Sequence, residues 1–339
     1  MKAIKIFEAG HLEIIEKEIP KIEKPGEVLV KVKFAGICGS DMHIYHGKNP
    51  LATYPRVVGH EFVGEIVKVG DDVNEIQSGD RVVIEPIVYC GQCYACKSGR
   101  PNVCETLEVL GVHKDGGFQE YVVVNEANVH KFGDELSWEE AVLIEPYTIA
   151  AQATWHGDVK ENETVYVAGA GPIGLMIIQF AKLKGATVIV SDLFDSKLKR
   201  AKAFGADYTI NSSKEDVKEK VMAYTHNVGA NVLMDAVGIP AILEQAVEVA
   251  SVAGKIVILG FSKDCAGIPL LPITKKEITI HGSRLQTNKF KEVIQIFKDK
   301  KINTKDFVSA VYKFDDIVEA IEMIENNSKD ICKVLVQFD

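Results

Sequence analysis

The sequence predicts an α/β chain of two domains, one β-rich and barrel-like, the other a parallel sheet of βαβ units. Three observations predict it. The chain has 339 residues, more than the ~100–200 of one ordinary domain. Its first part breaks short β-branched runs with Gly, Pro and Asp, and from Thr164 onward strand, turn and helix alternate. The first pattern reads as hairpins and a barrel, the second as parallel crossovers. With 47% apolar and 26% charged residues the chain can bury a sizeable core, which excludes extended disorder.

Taken in order, residues 28–34, 61–69, 81–84 and 118–124 read as strands of the first domain, expected to span 1–147. The second domain, expected over 148–284, opens with strand 164–168 and helix 173–184, then strand 187–191 and helix 196–204, then strands 231–234 and 255–259. Asp195 or Ser196 is a candidate N-cap for the second of those helices and Gly205 its stop signal. Residues 285–339, with helical patterns at 290–298 and 317–325 before a strand at 333–337, are expected to return to the first domain.

The formal charge is −9, and residues 1–145 account for all of it. An acidic surface attracts neither nucleic acid nor anionic membrane, so neither is expected as a partner. The longest apolar stretch, 168–181, carries glycines and Gln179 and falls short of the ~18 residues of a membrane span. Lys2, Lys5 and Glu8 occupy the place of a signal peptide's apolar region, so a cytoplasmic location is expected.

Cys90, Cys93, Cys96 and Cys104 lie within fifteen residues. Four thiolates in one loop, 90–104, can close a tetrahedral zinc shell and leave no place for water or substrate, the mark of a structural site. A second set is dispersed: Cys38, His60, Glu61 and Glu145. Mixed sulfur, nitrogen and oxygen donors suit a catalytic zinc with an exchangeable position. Taken singly, Cys38 reads equally as a small core residue, His60 as a hydrogen-bonded core histidine, and each glutamate as an ion-pair partner.

Gly169-Ala170-Gly171-Pro172-Ile173-Gly174 directly follows a strand and opens a helix. In that context the glycines permit a tight turn, close approach of a pyrophosphate and close helix–strand packing, while the helix N-terminus offers N–H groups to negative charge. Asp192 lies 18 residues beyond Gly174, where a carboxylate accepts from both ribose hydroxyls and repels a 2′-phosphate. NAD rather than NADP is the expected cofactor, although the nearby Lys197 and Arg200 soften that preference. The competing reading is a plain strand-to-helix turn with Asp192 a solvated strand end.

With these motifs in view, the chain resembles the medium-chain, zinc-dependent alcohol dehydrogenase family from end to end. The likeness runs in order through 36–43 (GICGSDMH), 59–64 (GHEFVG), the four-cysteine loop, 116–121 (GGFQEY) and the glycine turn. It implies a GroES-like catalytic domain, a Rossmann, doubly wound coenzyme domain, one catalytic and one structural zinc per chain, and a homotetramer or homodimer. It also implies that Cys38 and His60 are zinc ligands, that Glu61 is an alternating ligand, and that Glu145-Pro146 marks the polyol branch. Within that branch, 54–61, 110–117 and 145–150 look most like sugar-acid dehydrogenases of the L-galactonate and L-gulonate 5-dehydrogenase type and the starvation-sensing dehydrogenase-like proteins. Sorbitol, L-idonate and L-threonine dehydrogenases share most of these motifs. A rival from another class is a non-catalytic NAD-binding sensor, which would not need a complete ligand set.

The activity so implied transfers a hydride from an alcohol carbon of a small polyhydroxy substrate to NAD, in a cleft between the domains. The likeness casts Ser40 as first acceptor of the alcohol proton and His43 as its relay to water, a role an imidazole suits. Asp41 is a candidate hydrogen-bond partner of a ligating His60 and equally a candidate N-cap of the following short helix, and the two readings do not exclude each other. Arg284 and Arg56 are candidates for binding a substrate carboxylate or the cofactor bidentately, the alternative for each being a structural ion pair between domains. Tyr45 is a candidate pocket residue or plain packing.

Overall fold

The computed structural model describes residues 1–327 and 329–339. The chain divides into two compact units. One comprises Met1–Pro146, Phe290–Lys300 and Thr304–Asp339, the other Tyr147–Lys289 and Lys301–Asn303.

The first unit is organised on strand Glu27–Ile37. Its EVLVKVKFAGI sequence alternates, burying Val28, Val30 and Val32, until Phe34–Ile37 is buried on both faces. A strand covered on both sides reads as a continuous apolar run rather than an alternation. Three strands pair with it antiparallel: Glu61–Val69, Tyr121–Asn125 and Lys333–Gln337. Beyond Glu61–Val69 lie Arg81–Ile84 and Val129–Lys131, and beyond Lys333–Gln337 lies the parallel strand Val308–Lys313. A smaller sheet joins His11–Glu16, Lys2–Glu8 and Arg56–Val57.

The strand expected at 118–124 starts at Tyr121. The backbone just before it is used elsewhere, since the N–H groups of Gly116, Gly117 and Phe118 donate to the carbonyls of Val57, Gly59 and Val58. This fastens the GGF turn onto the segment leading into His60.

The second unit holds six parallel strands, Thr164–Ala168 (β1), Thr187–Asp192 (β2), Tyr208–Asn211 (β3), Ala230–Asp235 (β4), Ala250–Ile258 (β5) and Thr279–Gly282 (β6). Their order is β3-β2-β1-β4-β5-β6, so the winding reverses between β1 and β4, where open α/β sheets bind ligands. Tyr166, Ile189, Leu233, Val247 and Ile256 belong to one of its buried clusters. The edge strands β3 and β6 went unread in the sequence because they are short and partly exposed, with little apolar periodicity to detect.

Two expectations are corrected. Helix Asp195–Ala203 has Phe194 at its N-cap and no side-chain cap. Asp195, already inside the first turn, instead accepts a hydrogen bond from Asn211 Nδ2 and forms an ion pair with Lys214, which together engage its carboxylate. The return to the first unit falls at Lys289/Phe290 rather than after 284. Residues 285–289 stay with the second unit because Thr287 N–H donates to Gln152 Oε1 and Lys289 lies over the Trp155 ring. Asn303 N–H likewise donates to Gln179 Oε1, holding 301–303 there.

Ile189 is fully buried in β2, so Ile189→Ala is expected to cost about 2–5 kcal/mol through lost transfer energy and a residual cavity. Trimming the exposed Val252 to Ala should stay within about 0.5 kcal/mol. Urea unfolding of both variants measures the difference, and equal midpoints would contradict the packing described.

Candidate metal centres and dinucleotide turn

The four cysteines sit in a loop between the paired strands Ile87–Val88 and Glu108–Val109. Cys93 opens the short helix Tyr94–Lys97, and Cys104 ends the turn Pro101–Val103. Their sulfurs approach at 3.5 Å (Cys93–Cys96), 3.5 Å (Cys104–Cys90), 3.8 Å (Cys93–Cys104) and 4.0 Å (Cys90–Cys96). A zinc with Zn–S of ~2.3 Å at the centre of a sulfur tetrahedron implies edges of ~3.8 Å. A disulfide needs ~2.05 Å, and all four thiols are free. Backbone N–H groups aim at the sulfurs, Cys90 N–H at Cys104 Sγ (3.4 Å) and Cys93 N–H at Cys90 Sγ (3.3 Å). The first of these holds the Cys104 thiol down to about 6, while burial and the neighbouring thiols push that of Cys96 up to about 12, as expected where negative charges crowd one site without a cation. The donor set fits a closed zinc site.

The second cluster forms where the central strand ends. Cys38 is the N-cap of helix Gly39–Tyr45. Asp41, read as a possible N-cap, stands instead three residues into the motif, with Oδ2 accepting from Cys38 N–H at 2.9 Å. Its Oδ1 accepts from Gly59 N–H at 3.2 Å and lies 3.5 Å from His60 Nδ1, so one carboxylate steadies both candidate ligand segments. Gly36 faces Glu61 across the sheet. A Cβ at Gly36 would come within 2.4 Å of Glu61 Oε2, so only glycine leaves room for that carboxylate. The ligand atoms of Cys38, His60 and Glu61 all lie within 4.8 Å of one another.

Glu61 is ion-paired with Lys333, whose Nζ donates to Oε1 at 2.8 Å and Oε2 at 2.6 Å, both side chains being buried. Burial opposes the Lys333 charge, but Glu61 and then Cys38 raise its pKa above the lysine value. Lys333 was not singled out in the sequence. Its signal was a lysine opening the otherwise buried strand Lys333–Gln337, easily read as a charge at a strand end. Glu145, at the start of helix Ile144–His156, is buried but outside the compact three-residue set. Burial pushes its carboxyl up to about 8, with His60 drawing it down and Glu61 adding to the rise.

The cluster has the chemistry of a cation site. Asp41, Glu61 and Glu145 are buried carboxyl groups, and Glu61 lies within 4.8 Å of the Cys38 sulfur; a buried charge is costly unless matched. Burial by itself lowers the pKa of His60, but Asp41 and Cys38 reverse this and hold it well above the histidine value. A metal bound there would displace that proton. The buried Nδ1 of His60 makes no hydrogen bond.

Around this cluster, Ser40 Oγ lies 3.5 Å from His60 Nε2. His43 is exposed in the last turn of the same helix, and Tyr45 is half-buried with its ring edge-on to His46. Arg56 is engaged inside its own unit, 3.4 Å from Asp115 Oδ1 and donating to Thr53 Oγ1 at 2.7 Å. The alternative reading of Arg56, an ion pair between domains, thus gives way to one inside a single unit. Arg284 belongs to the second unit, where its guanidinium lies over the Phe261 ring.

In the second unit the glycine turn leaves β1 for helix Pro172–Leu183. Gly169 has φ +95°, and a Cβ on Gly174 would meet the Gly169 carbonyl oxygen at 2.0 Å. A Cβ on Gly171 would meet nothing within 4 Å. The outer glycines are therefore fixed by the turn, whereas Gly171 keeps open space over the helix N-terminus, a cradle for a pyrophosphate. Pro172 at the first helical position gives up an N–H that has no intrahelical partner, and Ile173 continues the turn beside it. Asp192 Oδ2 accepts from Ala170 N–H (2.9 Å) and Oδ1 from Phe194 N–H (3.1 Å). Each oxygen retains a further lone pair, so Asp192 braces the turn and still has acceptors for ribose. Lys197 lies over the Phe194 ring. The residues fit a dinucleotide.

Residues 24–134 match the family described as alcohol dehydrogenase GroES-like domain, and residues 172–299 that described as zinc-binding dehydrogenase. The chain is 46% identical to the starvation-sensing protein RspB of Escherichia coli K12 over 342 residues, covering 100% of this chain and 99% of that one. It is 36% identical to the L-galactonate-5-dehydrogenase of the same organism over 324 residues, covering 95% of each. Among solved structures, the alcohol dehydrogenase rspB of E. coli CFT073, complexed with NADH, superposes with a TM-score of 0.95 at 46% identity, covering 100% of this chain and 99% of that one.

Elemental analysis of Cys96→Ser is expected to show roughly one zinc equivalent per chain fewer than the wild type; unchanged zinc would remove the loop as a metal site. Lys333→Met in metal-free protein is expected to cost about 3–5 kcal/mol in urea unfolding, because Glu61 is left buried and uncompensated. A loss below about 1 kcal/mol would show that Glu61 does not depend on its partner.

Proposed function

Because the chain belongs to the zinc-dependent medium-chain alcohol dehydrogenase family, we propose that its oxidoreductase chemistry converts a secondary alcohol of a sugar acid to the ketone with NAD as hydride acceptor. The observation that carries this reading is the cluster of Cys38, His60 and the buried Glu61, with Ser40 beside it. Likeness over nearly the whole length to an L-galactonate-5-dehydrogenase supports the sugar-acid substrate, as does a glutamate at 145 in the manner of the polyol branch.

Cys38 and His60, with Glu61 or Glu145, would hold the catalytic zinc, and Cys90, Cys93, Cys96 and Cys104 the structural one. Zinc, when bound, supplies a Lewis acid that makes a hydroxyl proton easier to lose. NAD, when bound, supplies an acceptor for the hydride that the alcohol carbon gives up. Asp41 fixes the orientation of His60, because it holds the backbone on either side of the ligand pair. Ser40 Oγ, close to the His60 ring, accepts the alcohol proton and passes on its own. His43, exposed on the same helix, delivers a proton to water. The alcohol thus loses one hydride and one proton. Gly169, Gly171 and Gly174 shape the pyrophosphate turn, and Asp192 takes the ribose hydroxyls.

The test is NADH formation with L-gulonate, L-galactonate, L-idonate, sorbitol, xylitol and L-threonine. Turnover of an aldonate without its neutral polyol is expected. Preference for sorbitol or xylitol would move the chain to neutral polyols, preference for L-threonine to an amino-acid alcohol, and no turnover with zinc bound would favour a non-catalytic sensor. Cys38→Ser is expected to lower turnover by more than ~10²-fold while leaving NADH binding intact, and retained turnover would overturn the zinc reading.

A further inference from the structure

Helix Gly39–Tyr45 carries Ser40 and His43, the two groups assigned above to the alcohol proton, and the inference rests on that reading. His43 is exposed. An exposed ring is placed by its backbone rather than by enclosing neighbours, so the path of the helix decides where the imidazole stands. A displacement of ~1 Å in such a group is enough to cost ~10²-fold in rate.

The last carbonyls of a helix have no partner within it, and here they are taken up from outside. The His43 carbonyl accepts from Lys48 N–H at 2.8 Å and Asn49 N–H at 3.2 Å, and that of Tyr45 from Gly10 N–H at 2.7 Å. The Ile44 carbonyl accepts from Gly47 N–H at 3.0 Å and from the hydroxyl of Tyr54. His46, which follows the helix, pairs with Glu325 at 2.8 Å. Of these partners, Tyr54 is the one that belongs to the segment leading into His60.

That segment is a firm base. Arg56 and Val57 pair with Ile6 and Lys5 in the smaller sheet, and the GGF turn donates to the carbonyls of Val57, Val58 and Gly59. The helix is consequently fixed to the ligand segment at two points. Near its start Asp41 Oδ1 accepts from Gly59 N–H at 3.2 Å, and near its end the Ile44 carbonyl accepts from Tyr54. Ser40 stands beside the first anchor and His43 beside the second. With a rise of ~1.5 Å per residue, the anchors are ~4.5 Å apart along the axis. Without the Tyr54 hydroxyl, the end of the helix is placed by Gly10 and Glu325, which belong to other elements. His43 follows that end, while Ser40 stays with Asp41.

We propose that Tyr54 is a positioning residue for proton release: its hydroxyl, through the Ile44 carbonyl, holds His43 where it takes up the proton that Ser40 passes on. The imidazole gains one proton from the serine side and gives one to water, so the balance of the reaction is unchanged. Tyr54→Phe removes one oxygen and leaves the ring. The substrate for the test is the alcohol of the panel above that turns over fastest, and turnover is expressed per NADH-binding site, which removes unfolded chains from the comparison. In Tyr54→Phe, kcat is expected to fall roughly 10-fold, with KM, zinc content and NADH affinity little changed. Added N-ethylmorpholine, a tertiary amine base, is expected to restore turnover in Tyr54→Phe and in His43→Ala at constant pH and ionic strength, because an external acceptor takes over from the displaced or missing one. The double variant is expected to be no slower than His43→Ala alone, the sign that both residues act in one step. Unchanged kcat in Tyr54→Phe beside a slowed His43→Ala would overturn the proposal and leave the relay standing. A loss that the base does not restore, or that adds to the loss in His43→Ala, would overturn it in the same way. His43→Ala as fast as wild type, or no turnover of any alcohol in the panel, would overturn the relay reading and this inference with it.

Discussion

The first unit is built around a charge problem. Glu61 places a carboxylate in a fully covered part of a sheet, and Lys333 answers it from the strand on the other side of Glu27–Ile37. Taking both charges out of water costs several kcal/mol per ion unless geometry and hydrogen bonding compensate. Here both carboxylate oxygens accept from the ammonium, and Lys333 also reaches the Ile37 carbonyl. Gly36, facing Glu61 on one side and Leu335 on the other, is the position where a side chain would close the gap. Three strands far apart in sequence are thereby committed to one register.

That commitment gives the metal cluster its form. The central strand hands directly to Cys38, and Asp41 bonds both Cys38 N–H and Gly59 N–H, so the two ligand segments share one anchor. The GGF turn clips the backbone just ahead of His60. Donors held by backbone and carboxylate in this way lose little freedom when a cation arrives, which is the advantage of a site placed on rigid elements. The four-cysteine loop solves a different problem. It contains little regular structure and few buried residues, and its closure depends on sulfurs already spaced for a tetrahedral ion.

In the second unit the constraint is steric. The fit of Gly174 against the Gly169 carbonyl sets the entry of helix Pro172–Leu183, and Asp192 ties that turn to the end of the neighbouring strand. The same strand end carries Ser191 into a hydrogen-bonded chain with Tyr166 and Gln245. Adjacent residues thus meet different partners, because successive side chains of a strand point to opposite faces.

Short-range information was sufficient for several features. The glycine turn, Asp192 and the cysteine loop are local in sequence, and their spacing reflects chain geometry over a few residues. The strands at 61–69, 81–84 and 333–337 were readable because β-branched residues mark them. The long central strand was seen only in part, since its last residues are buried on both faces and lose the alternation. The N-cap of Asp195–Ala203 was misread because Asn211 and Lys214 engage Asp195 from another part of the chain. The sequence by itself determined the parallel and β-rich halves, the glycine turn and the cysteine quartet. Tertiary structure alone decided that Lys333 answers Glu61, that Arg56 is engaged by Asp115, and that Tyr166 bonds both Ser191 and Gln245. Those pairings depend on which strands become neighbours, and a charge or hydroxyl carries no sign in the sequence of the partner it will meet once folded.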